Sequence, residues 1–539
     1  MTDQIQAAHA LSVPWEGSRY ETLADLLLRQ RDRPLLSFFD DDAGTRQSFT
    51  VQQFRERAFR AAGLLESLGV TRGDKVSTVF ENHPDVLTVF FATWILGAVA
   101  VPISVLEDDG RKRFINENAE VSVMVVQDRF ADLVPAIRTL SIRHVVVAGN
   151  EDFDRELARF PASAAAAART GDEALIVYTS GTTGLPKGVV LTHEQMLADA
   201  EGIRRHFQFG EGHRFMCVLP LHHVNGIIVT TVTPLYVGGS IVLNRRFRTS
   251  TFWQRIAEER VQTVSVVPTL LQFLLEKDLP RGDVSCLQTI ICGAGPLTVE
   301  LAKAFETRFG RRITHGYGLS ESTCYSCYLP TELTQEEHER WMRDFGFPSI
   351  GVPIAPNEMA IHDPSGHELG EDERGEIVIR GKNIMQGYFK RPDANQETFK
   401  HRWFRSGDEG FYRTDARGRK FFFITGRLKE LIIRGGENIS PLEIDEVLQS
   451  IQGVRGIAVG FENKWYGEEV GAVVQLLNGM PVSPEEILRR CAERLSFFKR
   501  PKVVKFVDTI PVTSTGKYQR IKLKPLFAEF HETQFRERP

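Results

Sequence analysis

The stretch ALIVYTSGTTGLPKGV, residues 174–189, decides the fold class. Its apolar first part, residues 174–178, predicts a buried strand that runs into a loop of four hydroxyl residues, three glycines and one lysine. Glycines let backbone N–H groups approach an anion closely, the hydroxyls add donors, and Lys187 adds a full positive charge. We therefore predict a polyphosphate site here rather than a flexible surface turn.

This loop differs from the Walker A loop of P-loop NTPases. Counted from Gly181, the sixth position is Pro186, where the Walker loop has glycine. Gly188 follows the lysine, where the Walker loop has serine or threonine. A P-loop NTPase that releases free phosphate is therefore a less favoured hypothesis.

Helical and strand-like patterns alternate along most of the chain. Residues 51–68 and 191–207 have the apolar spacing of helices, whereas residues 75–80 and 121–126 are short apolar runs typical of strands. This alternation predicts βαβ units and a mostly parallel sheet with helices on both faces.

The last part of the chain has a different pattern. Residues 375–380 and 419–425 predict strands of a more antiparallel region, and an α+β tract of roughly 110 residues, the size of one small domain, follows. We therefore predict an α/β fold with two domains. The large N-terminal domain, residues 1–427, has parallel, helix-covered sheets and an antiparallel subdomain, and the small α+β C-terminal domain spans residues 428–539.

Composition and charge exclude several classes of protein. The 539 residues carry 66 Lys and Arg against 70 Asp and Glu, a net charge of −4, which argues against a nucleic-acid partner held by a basic field. Six cysteines are too few for a disulfide framework in so long a chain, and the first residues lack the basic and apolar blocks of a signal peptide. We therefore expect a cytoplasmic protein.

One stretch imitates a membrane span. Residues 86–105 contain no charge over twenty positions, which is long enough to cross a bilayer. Gly97 and Pro102 divide the stretch, so we predict a buried helix over residues 86–96 and a buried strand over residues 99–105. We expect no integral membrane segment.

Five segments together identify a family. Residues 178–188 resemble the phosphate-binding signature of the adenylate-forming superfamily, which includes acyl-CoA synthetases, adenylation domains of peptide synthetases and beetle luciferases. Four further segments resemble that family's motifs in the family's order. They are HGYGLSEST (315–323), FRSGDEG (404–410), GRLKELIIRGGEN (426–438) and PVTSTGKY (511–518).

The resemblance implies the substrates, the cofactors and the residues that bind them. ATP, Mg²⁺ and coenzyme A are implied, with Glu321 and Thr179 as metal ligands. The implied catalytic residues are Lys517, Glu321, Lys187 and His223. The implied binding residues are Thr179, Ser180, Gly181, Thr182, Thr183, Gly184, Gly293, Ala294, Gly295, Pro296, Gly316, Tyr317, Gly318, Ser320, Asp408, Arg427, Lys429, Gly435 and Gly436.

Several of these implied roles agree with the chemistry of the side chain. Glu321 supplies the carboxylate that a hard cation bridging phosphates prefers. Tyr317 offers a flat face to a purine, and Asp408 offers two acceptor oxygens to a ribose diol, with the donors of Arg427 nearby. Without the motifs, these residues would be a core aromatic and ordinary surface charges.

Lys517 is the residue we expect to matter most for catalysis. By resemblance it bridges the carboxylate of the acid and the α-phosphate during adenylation, where negative charge accumulates. Without that context it would be an ordinary exposed turn lysine. The resemblance also implies that the small domain is mobile: it rotates about Lys429, presenting first Lys517 and then the turn at Gly435 and Gly436.

The acid site shows one departure from the family. His223 matches a histidine that flanks the acyl pocket, but the preceding position, commonly aromatic in the family, is His222 here. Cys324 and Cys327 have metal or redox spacing without a second pair, so we interpret them as small side chains of the acid pocket. Residues 264–271, which resemble pocket wall, contain no charge, which favours an apolar fatty or aryl acid.

These observations predict an ATP-dependent carboxylate–CoA ligase. It adenylates a small-molecule carboxylic acid with release of pyrophosphate, then transfers the acyl group to coenzyme A with release of AMP. The alternative is a stand-alone adenylating enzyme that loads the phosphopantetheine of a carrier protein or uses oxygen. A catalytically silent nucleotide-binding protein is disfavoured by the joint presence of the charged residues, and no segment predicts an oligomeric state.

Overall fold

A computed structural model describes residues 2–162, 166–179, 186–276, 282–477, 481–513 and 518–535 of the chain. The α-helices are α1 (Thr2–Ala8), α2 (Asp25–Leu28), α3 (Val51–Ser67), α4 (Pro84–Ile95), α5 (Asp109–Asn118), α6 (Val134–Ile137), α7 (Glu151–Leu157), α8 (His193–Phe207), α9 (Thr233–Val237), α10 (Thr249–Glu258), α11 (Pro268–Leu275), α12 (Val299–Phe309), α13 (Gln335–Arg343), α14 (Pro392–Thr398), α15 (Pro441–Gln449) and α16 (Pro484–Arg494). Short 3₁₀ turns occur at Asp128–Leu133, Ser320–Ser322, Lys400–Arg402, Leu428–Glu430, Phe497–Lys499 and Arg520–Phe530, and a π-helix at Asn225–Val232.

The strands are β1 (Pro34–Asp40), β2 (Thr45–Thr50), β3 (Lys75–Val79), β4 (Val99–Ile103), β5 (Val121–Gln127), β6 (His144–Ala148), β7 (Glu173–Thr179), β8 (Lys187–Thr192), β9 (Arg214–Cys217), β10 (Ser240–Asn244), β11 (Thr263–Val266), β12 (Thr289–Cys292), β13 (Ile313–Tyr317), β14 (Cys327–Tyr328), β15 (Val352–Pro353), β16 (Asn357–His362), β17 (Gly375–Gly381), β18 (Gly387–Tyr388), β19 (Phe404–Thr414), β20 (Lys420–Arg427), β21 (Ile432–Arg434), β22 (Glu437–Ile439), β23 (Val454–Asn463), β24 (Gly467–Leu476) and β25 (Val503–Phe506).

The described strands form four sheets. A nine-stranded sheet has the order β15-β14-β13-β12-β11-β9-β10-β1-β2, and a seven-stranded sheet has the order β18-β8-β7-β4-β3-β5-β6. The run β13-β12-β11-β9-β10-β1 of the first sheet and the run β7-β4-β3-β5-β6 of the second pair in parallel. Antiparallel strands flank these runs: β2, β14 and β15 in the first sheet, and β8 and β18 in the second. The four-stranded sheet β16-β17-β19-β20 is antiparallel throughout, and β21 to β25 form a separate five-stranded sheet. The predicted fold class, with its antiparallel subdomain and its small C-terminal domain, is confirmed.

The uncharged stretch that imitates a membrane span is part of the core. It forms α4, in which every residue is buried, and then β4, which is also buried throughout. One apolar cluster joins these residues to α3, α8 and strands of both large sheets. In the described part of the chain, no helix is long and apolar enough to cross a bilayer. The predicted helix and strand are therefore confirmed, with the helix starting two residues earlier and the strand ending two residues earlier.

Local sequence explains where the strand after the phosphate loop turns into a helix. Thr192 accepts a hydrogen bond from the Gln195 amide, and the Gln195 side chain accepts one from the Thr192 amide, a reciprocal cap at the start of α8. The helix therefore begins at His193, two residues later than predicted. The antiparallel four-stranded sheet ends with β20, whose last residue is Arg427. The domain boundary between residues 427 and 428 stays a prediction.

Trp94 connects α4 to β7, the strand that precedes the predicted phosphate loop, through a hydrogen bond. Its indole is fully buried, and Nε1 donates to the Ala174 carbonyl at 2.8 Å. We expect W94F to lower the free energy of unfolding by about 2–3 kcal/mol, since it leaves a buried carbonyl unpaired and a small cavity. Urea unfolding followed by circular dichroism measures the change.

The matched control for this prediction is W465F. Trp465 is 51 % exposed, and its Nε1 also donates to a backbone carbonyl, that of Glu532. The same substitution there should change stability by less than about 0.5 kcal/mol. Equal effects at the two positions would contradict the packing role assigned to Trp94.

Candidate active site

The loop predicted to bind phosphate, called the phosphate loop below, connects two paired strands. Thr179, the last residue of β7, lies opposite Lys187, the first residue of β8, and its hydroxyl is 3.5 Å from the Lys187 carbonyl oxygen. The hairpin therefore holds both ends of the loop side by side. The predicted loop residues Ser180, Gly181, Thr182, Thr183 and Gly184 lie outside the described residues.

Lys187 lies among other charged groups. Its Nζ is 4.7 Å from the centroid of the Tyr388 ring. Burial lowers its pKa below the ordinary value, and the charges of Lys429 and Arg391 lower it further, while Glu321 acts in the opposite direction. Positive side chains from separate segments thus converge at the end of the loop. Such convergence favours a bound polyanion, which would relieve the repulsion between them.

Glu321 is held in place from two sides. It lies in the turn Ser320–Ser322, whose backbone carbonyl at Glu321 accepts a hydrogen bond from the Met385 amide at 2.8 Å. The Tyr388 hydroxyl donates to Glu321 Oε1, also at 2.8 Å. Burial and the neighbouring Glu321 carboxylate raise the pKa of Tyr388, so its proton stays available for this bond.

The surroundings of Glu321 fit a magnesium ion. Its turn lies against β8, the strand that Lys187 begins, and Thr179 is paired with Lys187. A carboxylate and a hydroxyl are oxygen ligands of the kind that Mg²⁺ prefers when it also binds phosphates. The residues present therefore fit the metal.

A buried polar network supports the segment that follows Glu321. Thr323 has a φ of 63°, unusual for a β-branched residue, and its hydroxyl donates to the Asn383 carbonyl at 2.6 Å. The Asn383 amide donates to Asp199 Oδ1 at 2.7 Å and to the Tyr325 carbonyl at 3.1 Å. Burial raises the pKa of Asp199 well above its ordinary value, and the hydrogen bond from Asn383 lowers it.

Tyr317, Asp408 and Arg427 form one group. The Tyr317 hydroxyl donates to Asp408 Oδ2 at 2.6 Å, and Arg427 Nε lies 3.0 Å from Asp408 Oδ1. Asp408 is only 3 % exposed, whereas the Arg427 side chain is 41 % exposed. Asp408 raises the pKa of Arg427, which stays charged. The structure thus brings together the three residues predicted for the purine and the ribose.

Close backbone approach explains the glycines beside this group. A Cβ on Gly318 would lie 2.0 Å from the Cys324 carbonyl oxygen, and one on Gly293 would lie 2.5 Å from the Tyr325 hydroxyl. Gly293, Ala294, Gly295 and Pro296 follow β12, and Gly316 lies in β13 next to Tyr317, so both predicted segments end neighbouring strands of one sheet.

The predicted acid side contains buried polar groups. The rings of His222 and His223 are 4.3 Å apart, and burial lowers the pKa of His222 well below its ordinary value, so this imidazole is neutral. Asn225 donates to the Tyr325 hydroxyl at 3.3 Å. Cys327 lies in β14 and is fully buried.

The residues predicted for domain movement lie on the connection to the small domain. Lys429 is in the turn Leu428–Glu430 that follows β20. Gly435 and Gly436, with φ values of 58° and 91°, form the exposed turn between β21 and β22. Lys517, predicted as the catalytic lysine, lies outside the described residues.

Two contributors to the site were missed by sequence analysis. Tyr388 contacts both Lys187 and Glu321, and Asn383 anchors the segment behind Glu321. Both lie on the segment between β17 and α14, which carries none of the motifs that were singled out. A tyrosine after glycine in QGYF, residues 386–389, was the available signal.

An enzyme that acts on a nucleoside polyphosphate typically has such features: parallel sheets, a loop between two strands that begins and ends in hydroxyl and lysine residues, and a carboxylate, Glu321, that acts on the lysine. The chain belongs to the AMP-binding enzyme family, whose profile matches residues 25–389. The profile of the AMP-binding enzyme C-terminal domain matches residues 443–517. The chain is accordingly an acid–thiol ligase of the AMP-forming kind, a class of enzymes that use ATP, Mg²⁺ and coenzyme A.

Individual relatives cover nearly the whole chain. A sulfoacetate–CoA ligase of Cupriavidus necator is 34 % identical over 94 % of this chain and 98 % of its own length. A feruloyl-CoA synthase of Amycolatopsis is 30 % identical over 89 % of this chain and 94 % of its own. The ATP-bound crystal structure of MatB from Rhodopseudomonas palustris superposes with a TM-score of 0.86, at 25 % identity, over 95 % of this chain and 99 % of that one.

Removing the charge of Asp408 tests the nucleotide part of the site. We expect D408N to raise the KM for ATP about tenfold or more, because Arg427 loses its buried partner and the ribose loses an ionised acceptor. The KM for the acid should change little. Steady-state assays of pyrophosphate release, with ATP and acid varied separately, measure both constants.

The matched control is D372N. Asp372 also pairs with an arginine of the same sheet, Arg413, but its side chain is 50 % exposed. This variant should keep the wild-type KM for ATP. A D408N enzyme with an unchanged KM for ATP would contradict the proposed contact to the ribose.

Proposed function

We propose that this protein is an ATP-dependent carboxylate–CoA ligase that works in two steps through an acyl-adenylate. The observation that carries the proposal is that Glu321 acts electrostatically both on Lys187, at the end of the predicted phosphate loop, and on Arg427 of the Tyr317–Asp408–Arg427 group. Each part of an ATP molecule has a proposed partner: Lys187 for the phosphates, Glu321 for the magnesium ion that the phosphates bind, and Asp408 for the ribose. Family membership supports the same reaction type.

The first step activates the acid. A carboxylate oxygen attacks the α-phosphorus of ATP, an O–P bond forms, and the bond to the β-phosphate breaks with release of pyrophosphate. Lys187 and the loop hold the phosphates, and Asp408 with Arg427 holds the ribose. Mg²⁺, when bound at Glu321 and Thr179, neutralises phosphate charge. No general base is needed, because the carboxylate is already an anion at neutral pH.

The second step transfers the acyl group. The thiol of coenzyme A loses its proton to solvent, and the thiolate attacks the carbonyl carbon. A C–S bond forms, the acyl C–O bond of the mixed anhydride breaks, and AMP leaves. AMP is a good leaving group, whereas a free carboxylate resists nucleophiles, which explains why activation comes first. The exposed turn at Gly435 and Gly436 supports a role in admitting the pantetheine arm, since it presents backbone without side chains.

Two domains divide this work in the proposal. The large domain, residues 1–427, binds ATP and the acid, and the small domain, residues 428–539, carries Lys517 and the glycine turn. Lys429 is the proposed hinge, because it lies in the short turn that joins β20 to the small domain and close enough to Lys187 to lower its pKa.

The acid we propose is an apolar fatty or aryl acid. Val264, Val266 and Leu271 in β11 and α11 are buried apolar residues, and residues 264–271 contain no charged side chain. His223 is proposed to flank the acyl group. The buried hydroxyl of Tyr325 lies 2.5 Å from where a Cβ on Gly293 would be, and it accepts a hydrogen bond from the Asn225 amide at 3.3 Å.

A cytoplasmic location is proposed with this function. All six cysteines are free thiols, and five of them are buried. Reducing compartments keep such thiols free, whereas secreted proteins of similar size commonly use disulfides. Coenzyme A, the proposed acceptor, is itself a thiol.

A panel of carboxylic acids tests the proposed reaction. Pyrophosphate release and product mass are measured with fatty, aryl, hydroxyaryl and small charged acids, each with and without coenzyme A. We expect an apolar acid to give acyl-CoA only with ATP and Mg²⁺ present. Acid-dependent pyrophosphate release without a thioester would favour the carrier-protein acceptor, and exclusive use of charged acids would overturn the proposed acid class.

Replacing Lys517 separates the two steps. We expect K517A to slow acyl-adenylate formation about 10²–10³-fold, because a positioned cation is lost where negative charge develops. Transfer from preformed acyl-adenylate to coenzyme A should keep its rate. Quenched single-turnover assays of each step measure this, with K522A, an exposed lysine of the same domain, as the matched control. Equal slowing of both steps would contradict the role given to Lys517.

A further inference from the structure

A carboxylate of the small domain caps a helix of the large domain. Glu446, on α15, accepts hydrogen bonds from the backbone amides of Val299 at 3.0 Å and Glu300 at 3.2 Å. These are the first two residues of α12, whose amides have no partner within the helix. Glu446 is 9 % exposed, so the contact lies inside the interface between the domains.

Neighbouring contacts strengthen the same interface. Thr298, which caps α12 by accepting from the Leu301 amide, donates its hydroxyl to Gln449 of α15 at 3.2 Å. Arg455 of β23 forms an ion pair with Glu276 at the end of α11 at 2.7 Å. The interface is thus built on directional polar contacts, and Glu446 supplies the buried carboxyl group.

This interface corresponds to one arrangement of the domains. The turn at Gly435 and Gly436 is exposed, and a Cβ added at either glycine would meet no described atom within 4 Å. The proposed acyl-transfer step needs this turn at the reacting thioester, inside the active site. The small domain must therefore leave α12 for that step, and the Glu446 contacts must break.

We propose that Glu446 is a positioning residue that docks the small domain on the N-terminus of α12 and thereby holds the enzyme in its adenylating arrangement. The docking contact is a structural feature, and its consequence for the order of the two steps rests on the proposed function. Because Glu446 touches neither substrate, it acts through the placement of the domain that carries Lys517.

Docking is expected to take up a proton. Burial raises the pKa of Glu446 to about 7 from an ordinary value of 4.5. The amides of Val299 and Glu300 lower this pKa, the side chain of Glu300 raises it, and Arg494 of α16 lowers it. Two further charged groups on the packed elements are paired elsewhere: Asp445 of α15 pairs with Arg520, and Arg455 of β23 pairs with Glu276.

The sign of the pH dependence follows from linkage. The docked state has the higher pKa, so it binds the proton more tightly than the undocked state, where Glu446 is in water. Docking is therefore strongest below the solvated pKa of 4.5 and weakens as the pH rises through about 7. Adenylation is favoured on the acid side of this window, and release of the domain on the alkaline side.

Hydrogen exchange measures docking without any substrate. The probes are the backbone amides of Val299 and Glu300, whose partner in the described structure is Glu446. We expect their protection factors, corrected for intrinsic exchange at each pH, to be about tenfold higher at pH 5.5 than at pH 7.5, since each pKa unit is a factor of ten. In E446Q, which cannot ionise, this pH dependence should disappear.

The matched control is E443Q. Glu443 lies one turn earlier on α15 and pairs with Lys499 of the small domain itself, at 2.7 Å. This variant should keep the wild-type pH dependence of both amides. The docking role would be overturned if the pH dependence persisted in E446Q. It would also be overturned if the Val299 and Glu300 amides of the wild type showed no protection from hydrogen exchange.

Single-turnover kinetics test the consequence for catalysis. We expect E446A, which leaves both amides without an acceptor, to slow acyl-adenylate formation severalfold and leave transfer from preformed acyl-adenylate as fast or faster. Equal slowing of both steps would overturn the positioning role. If the wild type forms no adenylate with any acid, the proposed function fails, while the exchange experiment still decides whether Glu446 docks the domain.

Discussion

The buried carboxylate of Asp408 is the constraint on which the site depends. A charge that is 3 % exposed is costly unless it is paired and hydrogen-bonded, and Asp408 has both a cation, Arg427, and a hydroxyl donor, Tyr317. Tyr317 ends β13 of the nine-stranded sheet, whereas Asp408 and Arg427 lie opposite each other in the antiparallel sheet. Satisfying one carboxylate therefore fixes the position of two sheets relative to each other.

Buried hydrogen bonds also position Glu321, but they act on the segment that follows it rather than on its carboxylate. The backbone at Thr323 adopts a positive φ, which costs free energy, and the bonds from Thr323 to Asn383 and from Asn383 to Asp199 stabilise it. Burial raises the pKa of Asp199, which favours the neutral form of its carboxyl group over the charged one. The strained turn that carries Glu321 is thus held by buried hydrogen bonds to the segment at Asn383.

The sequence predicted what local chemistry encodes. Alternation of apolar runs predicted the fold class, and the breaks at Gly97 and Pro102 correctly divided the uncharged stretch into α4 and β4. The motif residues Lys187, Glu321 and Asp408 were predicted by type and order. In the structure Glu321 acts electrostatically on Lys187 and also on Arg427, the partner of Asp408. The spacing of motifs along the sequence does not give the distance between their side chains in space. The hydrogen bond between Tyr317 and Asp408, which are 91 positions apart in the sequence, could therefore be found only in the tertiary structure.

Other contributors had no local signature. Tyr388 forms a hydrogen bond with Glu321, 67 positions away in the sequence, and Glu446 forms one with Val299, 147 positions away. Both hydrogen bonds depend on how separate elements pack. Glutamate on an amphipathic helix ordinarily faces water, so sequence pattern alone predicts a solvated side chain for Glu446. Burial of that carboxylate follows only from the position of α15 against α12.

The two buried carboxylates differ in what the proposed domain movement would do to them. Asp408 and both of its partners belong to residues 1–427, so this group would stay paired whichever arrangement the small domain adopted. Glu446 has its partners on the other side of the proposed boundary, so its contacts would exist in one arrangement only. In the proposed cycle, a binding site that must persist through both steps is therefore stabilised within one domain, and the contact that must be lost between the steps is placed across the interface.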